Sequence, residues 1–241
     1  MPLQKLYRTD YTGEFLIYNV ELENGKYEEE REWLPNTLPN DDHWQHAIII
    51  GNGASRKSFN LDRIKNHRTG IGGVHRIQSY GCNGLHRDFH PDFLVVNNQK
   101  IIDEVKNKPN IESNVMLSNA NLLRNPGIGN IIPYSVSMNA GAIATYLAAF
   151  DGHKKIYLLG FDNQLPQRNS NVYAGTIGYD AEDTVVSSYK WELYMSEIFR
   201  TYSDVEFIHI NPIATTLPKR WRSCLNYRTI DTRQFALEVD L

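Results

Sequence analysis

The stretch His46–Ser55 reads HAIIIGNGAS and places a short run of β-branched residues directly before a Gly–Asn–Gly turn. An apolar run of this length that stops at glycine is typical of a buried strand. Because glycine has no Cβ, the backbone of such a turn can approach a phosphate closely, and a helix N-terminus favours an anion. With a helix predicted from about Leu61, the order strand, glycine turn, helix predicts the start of a nucleotide-binding α/β domain.

The turn departs from the common phosphate-binding fingerprints. In the dinucleotide pattern G-x-G-x-x-G, counted from Gly51, the last position is Arg56 instead of glycine. No G-x-x-x-x-G-K-[ST] loop occurs in the chain. The motif alone therefore leaves two alternatives open, a phosphate site and a simple tight turn.

The composition and net charge limit the kinds of molecule that the chain is expected to bind and the compartment in which we expect it. The chain has 241 residues, 41% of them hydrophobic and 22% charged, and a net charge of −3, so no general attraction for nucleic acid is expected. Two cysteines provide no disulfide framework, and no apolar run approaches the roughly 20 residues of a membrane span. Met1–Glu14 lacks the apolar core of a signal peptide, so we expect a cytoplasmic protein.

Residues 1–45 differ from the rest of the chain. Phe15–Leu22 and Lys26–Trp33 read as strands around the turn Glu23–Gly25, which is a hairpin signal. Pro35 and Pro39 follow in a linker. We predict an N-terminal β-hairpin extension and linker over residues 1–45. Residues 46–241 are predicted to form a Rossmann-like nucleotide-binding domain with a lid around 163–184.

Predicted strands and helices alternate after the glycine turn. The strands are Ile77–Gly81, Phe93–Val96, Val115–Leu117, Lys155–Leu159 and, as the last core strand, Val205–Ile210. The helices are Leu61–Asn66, Ile101–Lys106, Asn139–Phe150 and Val185–Tyr202. This alternation predicts an α/β fold, doubly wound and Rossmann-like, with a mainly parallel sheet and helices on both faces.

Asparagine and glycine recur at the carboxyl ends of the predicted strands, where ligands of such sheets bind. An amide side chain both donates and accepts, so it can bind ribose hydroxyls, a base edge or phosphate oxygens. Turn formation or helix capping explains any single asparagine equally well, but the whole set on one edge favours a nucleotide site. The segments are Gly51–Asn52–Gly53, Cys82–Asn83, Asn97–Asn98, Asn139–Ala140–Gly141, Gly160–Phe161–Asp162 and Asn211–Pro212.

These motifs resemble those of the bacterial sialyltransferases of glycosyltransferase family 42. The order and spacing of the motifs also resemble those of the DUF115-type proteins, which include archaeal 6-hydroxymethylpterin diphosphokinases and flagellin motility-accessory factors. The similar segments span roughly residues 46–212 and are Ile48–Ser55 (IIIGNGAS), Cys82–Asn83, Phe93–Asn97 (FLVVN), Asn139–Gly141 and Ile156–Asp162 (IYLLGFD).

The resemblance implies a site for a CMP-type sugar nucleotide. In the sialyltransferases, asparagines at strand ends and small residues at the start of the central helix contact the nucleotide. The matching residues here are Asn52, Asn83, Asn97, Asn139, Ala140, Gly141, Gly160, Phe161 and Asp162. We also predict Gly51, Gly53 and Ser55 as nucleotide-binding residues, because they belong to the glycine turn.

The lid departs from the sialyltransferase pattern, which has a histidine base with tyrosines nearby. No histidine lies between Asp162 and Tyr202. A general base must reach the acceptor hydroxyl. We therefore predict Tyr173, Tyr179 and Asp180 as the catalytic candidates.

The leading hypothesis is a glycosyltransferase that takes a CMP-sugar and a glycan acceptor, acts as a homo-oligomer and needs no metal. One alternative is a DUF115-like diphosphokinase that uses ATP and Mg²⁺, with Asp92 and Asp162 as carboxylate candidates. Another alternative is a nucleotide-binding protein without catalysis. His86 and His90 are four residues apart, but Pro91 follows directly, so we predict no metal site there.

Overall fold

The computed structural model describes residues 2–7, 14–21, 27–33, 46–67, 77–108, 114–162, 171–180, 188–211 and 217–241. The predicted turn Glu23–Gly25, the linker prolines and the parts of the predicted lid before residue 171 and after residue 180 lie outside these ranges.

Three antiparallel strands form a separate N-terminal sheet. They are β1 Pro2–Tyr7, β2 Glu14–Glu21 and β3 Tyr27–Trp33, in the order β1-β2-β3. Phe15 pairs with Trp33, and Glu21 pairs with Tyr27, so the two predicted hairpin strands are confirmed. Strand β1 was not predicted; it is defined by its pairing with β2. The division of the chain into two domains stays a prediction.

The main sheet has eight parallel strands in the order β11-β10-β9-β4-β5-β6-β7-β8. The predicted α/β class is therefore confirmed. The strands are β4 His46–Ile50, β5 Ile77–Cys82, β6 Phe93–Val95, β7 Asn114–Leu117, β8 Asn130–Ile131, β9 Lys155–Leu159, β10 Glu206–Ile210 and β11 Tyr227–Ile230.

The expectation that Val205–Ile210 is the last core strand is wrong, because β11 pairs in parallel with β10 beyond it. Strand β11 reads YRTI, and only Ile230 of the four residues is buried. An edge strand with one covered side chain lacks the apolar run that marks a buried parallel strand.

Helices cover both faces of the sheet. One apolar cluster joins α4, α5 and α6 to the sheet, for example through Ala144, Phe199 and Trp221. The other cluster joins α1, α2 and α7 to the opposite face. The helices are α1 Asp62–His67, α2 Gln99–Lys106, α3 Asn119–Arg124, α4 Ala140–Phe150, α5 Ser188–Thr201, α6 Lys219–Arg222 and α7 Thr232–Glu238.

The strand order reverses at β4. The chain lays β5 to β8 on one side of β4, then returns through α4 and places β9 on the other side. Ile50 thus pairs with both Gly81 and Leu159. At such a reversal the connections that follow β4 and β9 run in opposite directions and leave a crevice at the carboxyl ends of the two strands. Open α/β sheets bind ligands in this crevice.

Within the described ranges, none of the helices is both long and apolar enough to cross a membrane.

Candidate functional site

The glycine turn packs directly on the end of β9. The amide N–H of Gly51 donates to the Leu159 carbonyl oxygen at 2.8 Å, and that of Gly53 donates to the Gly160 carbonyl oxygen at 2.9 Å. A Cβ built on Gly51 or Gly53 would lie 2.5 or 2.6 Å from the same Gly160 oxygen. Backbone packing therefore requires these glycines, and their two N–H groups are used inside the protein.

A 3₁₀ helix, Ala54–Ser58, follows the turn, and α1 begins only at Asp62. The helix predicted from about Leu61 is therefore α1, and the 3₁₀ helix, which was not predicted, lies between it and the glycine turn. The backbone N–H of Ser55 donates to Oδ2 of Asp162 at 2.8 Å. Within the described part of the chain, Oγ of Ser55 and Oδ1 of Asp162 are buried and have no hydrogen-bond partner. Two polar atoms at the switch point are thus buried without a described partner, which is uncommon in folded proteins.

Asn52 connects the ends of β4 and β5. Its Nδ2 donates to the Cys82 carbonyl oxygen at 3.3 Å and to the Tyr179 hydroxyl at 3.0 Å. At the end of β6, the backbone N–H of Asn97 donates to Oδ1 of Asn83 at 3.1 Å. The structure therefore brings three of the predicted asparagines to successive strand ends along one edge.

Helix α4 begins beside the end of β9. Asn139 caps the helix, because its Oδ1 accepts from the Ala142 N–H at 2.9 Å. A Cβ built on Gly141 would lie 3.6 Å from the ring of Phe161. Ala140 is buried. The positive end of an 11-residue helix thus lies next to the residues that follow β9.

Residues 171–180, which we call the cover segment, pack on the glycine turn. Asn171 forms an antiparallel bridge with Gly53, and the N–H of Val172 donates to the Asn52 carbonyl oxygen at 2.8 Å. At the other end, Nδ2 of Asn98 donates to the Gly178 carbonyl oxygen at 2.8 Å. This described part of the predicted lid therefore covers the ends of β4 to β6.

The predicted catalytic tyrosines are buried in the cover segment, 5% and 8% exposed. The Tyr173 hydroxyl donates to Asp88 and accepts from Nη2 of Arg56, both at 2.8 Å. The Tyr179 hydroxyl accepts from the Gly84 N–H at 2.8 Å and from Asn52. Burial raises the pKa of both phenols, so they stay protonated at neutral pH.

Asp180, the third catalytic candidate, is exposed at the end of the cover segment. The catalytic assignment of Tyr173, Tyr179 and Asp180 stays a prediction.

Two arginines at this edge of the sheet were not named among the candidate site residues. Arg56 is buried and ion-paired with Asp88. Arg87 donates to Oε1 of Glu104 at 3.0 Å and to Oγ1 of Thr176 at 2.7 Å. Hydrogen bonds from Arg87 hold the pKa of Glu104 at about 2, below its ordinary value. The sequence signal for Arg56 was its place at the last position of the dinucleotide fingerprint, where glycine is usual.

His209 is a further buried polar group near this edge. It lies in the carboxyl half of β10, with its ring 6.5 Å from that of Phe161. Its Nδ1 lies 2.8 Å from the Tyr227 hydroxyl, and Nε2 has no partner among the residues described. Burial lowers the pKa of His209 to about 3. The imidazole is therefore neutral at physiological pH.

The carboxylates named for a magnesium site do not come together. Oδ2 of Asp92 accepts from the backbone N–H and the hydroxyl of Ser79, at 2.8 and 2.7 Å. Asp92 precedes β6 whereas Asp162 follows β9, so they belong to opposite edges of the sheet. In the described ranges, no group of three His, Cys, Asp or Glu side chains could hold a metal ion.

No protein-family model matches the chain, and no curated protein matches it. Among solved structures, the chain is similar to the monofunctional alpha-2,3-sialyltransferase Cst-I from Campylobacter jejuni, with 17% identity over 73% of this chain and 79% of that chain, and a TM-score of 0.43.

It is also similar to the sialyltransferase CstII from Campylobacter jejuni in complex with CMP-3FNeuAc, with 14% identity over 68% and 80% of the two chains and a TM-score of 0.41. A mutant of the alpha-2,3/8-sialyltransferase CstII gives 15% identity over 76% and 90%, and a TM-score of 0.43. Likenesses with TM-scores below 0.5 assign neither an activity nor a substrate to this chain. No comparison supports the resemblance to DUF115-type proteins.

Proposed function

We propose that this chain is a glycosyltransferase that takes a CMP-type sugar nucleotide and transfers its sugar to a hydroxyl group of a glycan acceptor. The observation that carries the proposal is the row of Asn52, Asn83 and Asn97 at successive strand ends, next to the topological switch point. Amide groups can bind a base edge, ribose hydroxyls and a phosphate without a metal ion.

The start of α4 supports the same proposal. A helix N-terminus favours an anion, and the first turn of α4 lies beside Phe161 at the end of β9. The phosphate of a nucleoside monophosphate carries up to two negative charges. In this proposal the first turn of α4 and Asn52 face that phosphate, while Asn83 and Asn97 bind the nucleoside.

Tyr179 is the donor that the proposal assigns to the leaving group. Within the described ranges, its hydroxyl accepts two hydrogen bonds and donates none. The raised pKa keeps its proton in place at neutral pH. A hydrogen bond from Tyr179 to a phosphate oxygen would stabilise the charge that develops as CMP departs.

The reaction is a direct displacement. The acceptor oxygen attacks the anomeric carbon as the bond from that carbon to the phosphate oxygen of CMP breaks. The acceptor proton passes to a carboxylate, for which we propose Asp180, exposed at the end of the cover segment. The leaving group is a monophosphate, so the proposal includes no metal.

Calorimetric titration with CMP, CDP, ATP and GDP, with and without Mg²⁺, tests the proposal. We expect CMP to bind without metal, and Asn52→Ala to weaken it by at least about tenfold through loss of the amide. Asn107→Ala is the matched control, because Asn107 ends α2 and its Nδ2 bonds only locally, to the Asp103 carbonyl oxygen. Release of CMP from CMP-sialic acid with a glycan acceptor then tests turnover.

Three other results of the titration would favour a different function or contradict the proposal. ATP binding that depends on Mg²⁺ would favour the diphosphokinase. CMP binding without turnover for any acceptor would favour a nucleotide-binding protein. No binding of any nucleotide would contradict the proposal.

A further inference from the structure

Arg56 stands where the dinucleotide fingerprint has its last glycine, and its side chain is buried at 5% exposure. Nη1 donates to the Gly51 carbonyl oxygen at 3.3 Å and to Oδ1 of Asn52 at 3.4 Å. Nη2 donates to the Tyr173 hydroxyl at 2.8 Å and to the carboxylate of Asp88. One guanidinium thus joins the glycine turn, the cover segment and the loop after β5.

The contact with Asn52 determines which way its amide points. The oxygen and nitrogen of an amide differ only in what they bind, and a half-turn exchanges them. Because Oδ1 accepts from Arg56, Nδ2 is directed toward the Cys82 carbonyl oxygen and the Tyr179 hydroxyl. Without Arg56, no described donor holds that oxygen.

Arg56 also leaves positive charge at the turn. Its counter-ion Asp88 has a side chain that is 50% exposed, whereas that of Arg56 is 5% exposed. Water screens the exposed carboxylate more strongly than the buried cation. The field of Arg56 therefore acts on the turn, where its Nη1 bonds the Gly51 carbonyl oxygen. There it offsets the carboxylate of Asp162, whose Oδ2 lies 2.6 Å from a Cβ built on Gly53.

We propose that Arg56 is the positioning residue of the Gly51–Asn52–Gly53 turn in nucleotide binding. It holds the Asn52 amide and the Tyr173 hydroxyl in place, and its positive charge offsets the carboxylate of Asp162 beside Gly53, so that the phosphate of a nucleoside monophosphate can bind at this edge of the sheet. The inference rests on the proposed use of a CMP-type donor.

The test compares CMP with cytidine, which lacks the phosphate, by calorimetry on Arg56→Met and Arg56→Lys. In Arg56→Met we expect CMP affinity to fall by at least about tenfold and cytidine affinity by less than about threefold. Arg56→Lys keeps the charge but not the planar fork, so it should lie between wild type and Arg56→Met. Lys57→Met is the matched control, because it removes an exposed cation from the same 3₁₀ helix and should leave both affinities unchanged.

A general loss of structure would lower both affinities together, whereas the proposed role changes the preference for CMP over cytidine. If the wild type binds CMP but Arg56→Met keeps the wild-type preference, the inference fails and the proposed function stands. If the wild type binds no nucleotide, the proposed function itself fails and the inference with it. If circular dichroism shows that Arg56→Met is unfolded, Arg56→Lys decides, and a wild-type preference there overturns the inference.

Discussion

At the scale of single residues, Tyr173 and Tyr179 have rings 5.5 Å apart, but their hydroxyls bond in opposite ways. Tyr179 accepts from two donors, the Gly84 N–H and Nδ2 of Asn52. Tyr173 instead bridges Arg56 and Asp88, which are also bonded to each other. Removal of the Tyr179 hydroxyl therefore takes an acceptor away from two donors. Removal of the Tyr173 hydroxyl leaves Arg56 and Asp88 bonded to each other.

We expect Tyr179→Phe to lower the free energy of unfolding more than Tyr173→Phe. Each buried donor left without an acceptor costs about 1–3 kcal/mol, and Tyr179→Phe affects two such donors. Urea unfolding of both variants and wild type measures the difference. An equal cost for the two substitutions would contradict this account of the site.

At the scale of elements, α4 carries small side chains against the sheet. It reads AGAIATYLAAF, and nine of its eleven residues are buried. Small residues let the helix approach β4, β5 and β6 closely, which brings its first turn to the carboxyl edge. Gly141 in that turn has room for a Cβ, whereas Gly53 in the glycine turn has none.

Gly141→Ala is expected to be neutral or to stabilise the fold by up to about 1 kcal/mol, since alanine is the better helix former. The same substitution should weaken CMP binding, because the new methyl group occupies the first turn of α4 beside Phe161. Gly53→Ala should destabilise the fold by about 1–3 kcal/mol through overlap with the Gly160 oxygen. Thermal unfolding and CMP calorimetry test both, and unchanged CMP affinity in Gly141→Ala would argue against a role for this turn.

The sequence predicted those elements whose own residues carry the signal. Strands β4 and β9 and helix α4 are apolar runs bounded by turn residues, so each was located to within a residue or two. Strands β8 and β11 were missed, because β8 has two residues and β11 has one buried side chain. These strands exist through pairing with a neighbour, and pairing is not visible in a local pattern.

At the scale of the whole molecule, the shifted pKa values of His209 and Glu104 make stability depend on pH in the acid range. Burial lowers the pKa of His209 from 6.5 to about 3, so the unfolded chain binds a proton there that the folded chain does not. Stability is then full above about 6.5 and falls as the pH drops from 6.5 toward 3. Glu104, with a pKa lowered from 4.5 to about 2, stabilises the fold above 4.5, and that contribution is lost between 4.5 and 2.

We expect His209→Phe to flatten the fall of the unfolding free energy between pH 6.5 and 4.5, relative to wild type. Glu104→Gln should instead lower the unfolding free energy above pH 4.5, where the carboxylate is charged, and flatten the curve below pH 4.5. Urea unfolding at a series of pH values measures both, with the exposed residue His90 changed to Gln as the control. A His209→Phe curve parallel to wild type would show that this histidine does not titrate as described.

The part of the candidate site that follows from strand order alone could be predicted from the sequence. Asn52, Asn83 and Asn97 each follow a predicted strand, and parallel strands bring their carboxyl ends to one edge. Their partners were not predictable. Arg56 meets Tyr173 across 117 residues, and Asn52 meets Tyr179 across 127.

The sequence by itself determined the α/β class, the parallel sheet and the row of asparagines, because hydrophobic periodicity and glycine turns are local properties of the chain. Only the tertiary structure decided that Gly51 and Gly53 serve backbone packing, that Tyr173 and Tyr179 are buried, and that Arg56 joins three segments. Those outcomes depend on distances between residues far apart in the chain, and such distances follow from how the strands order and the helices pack.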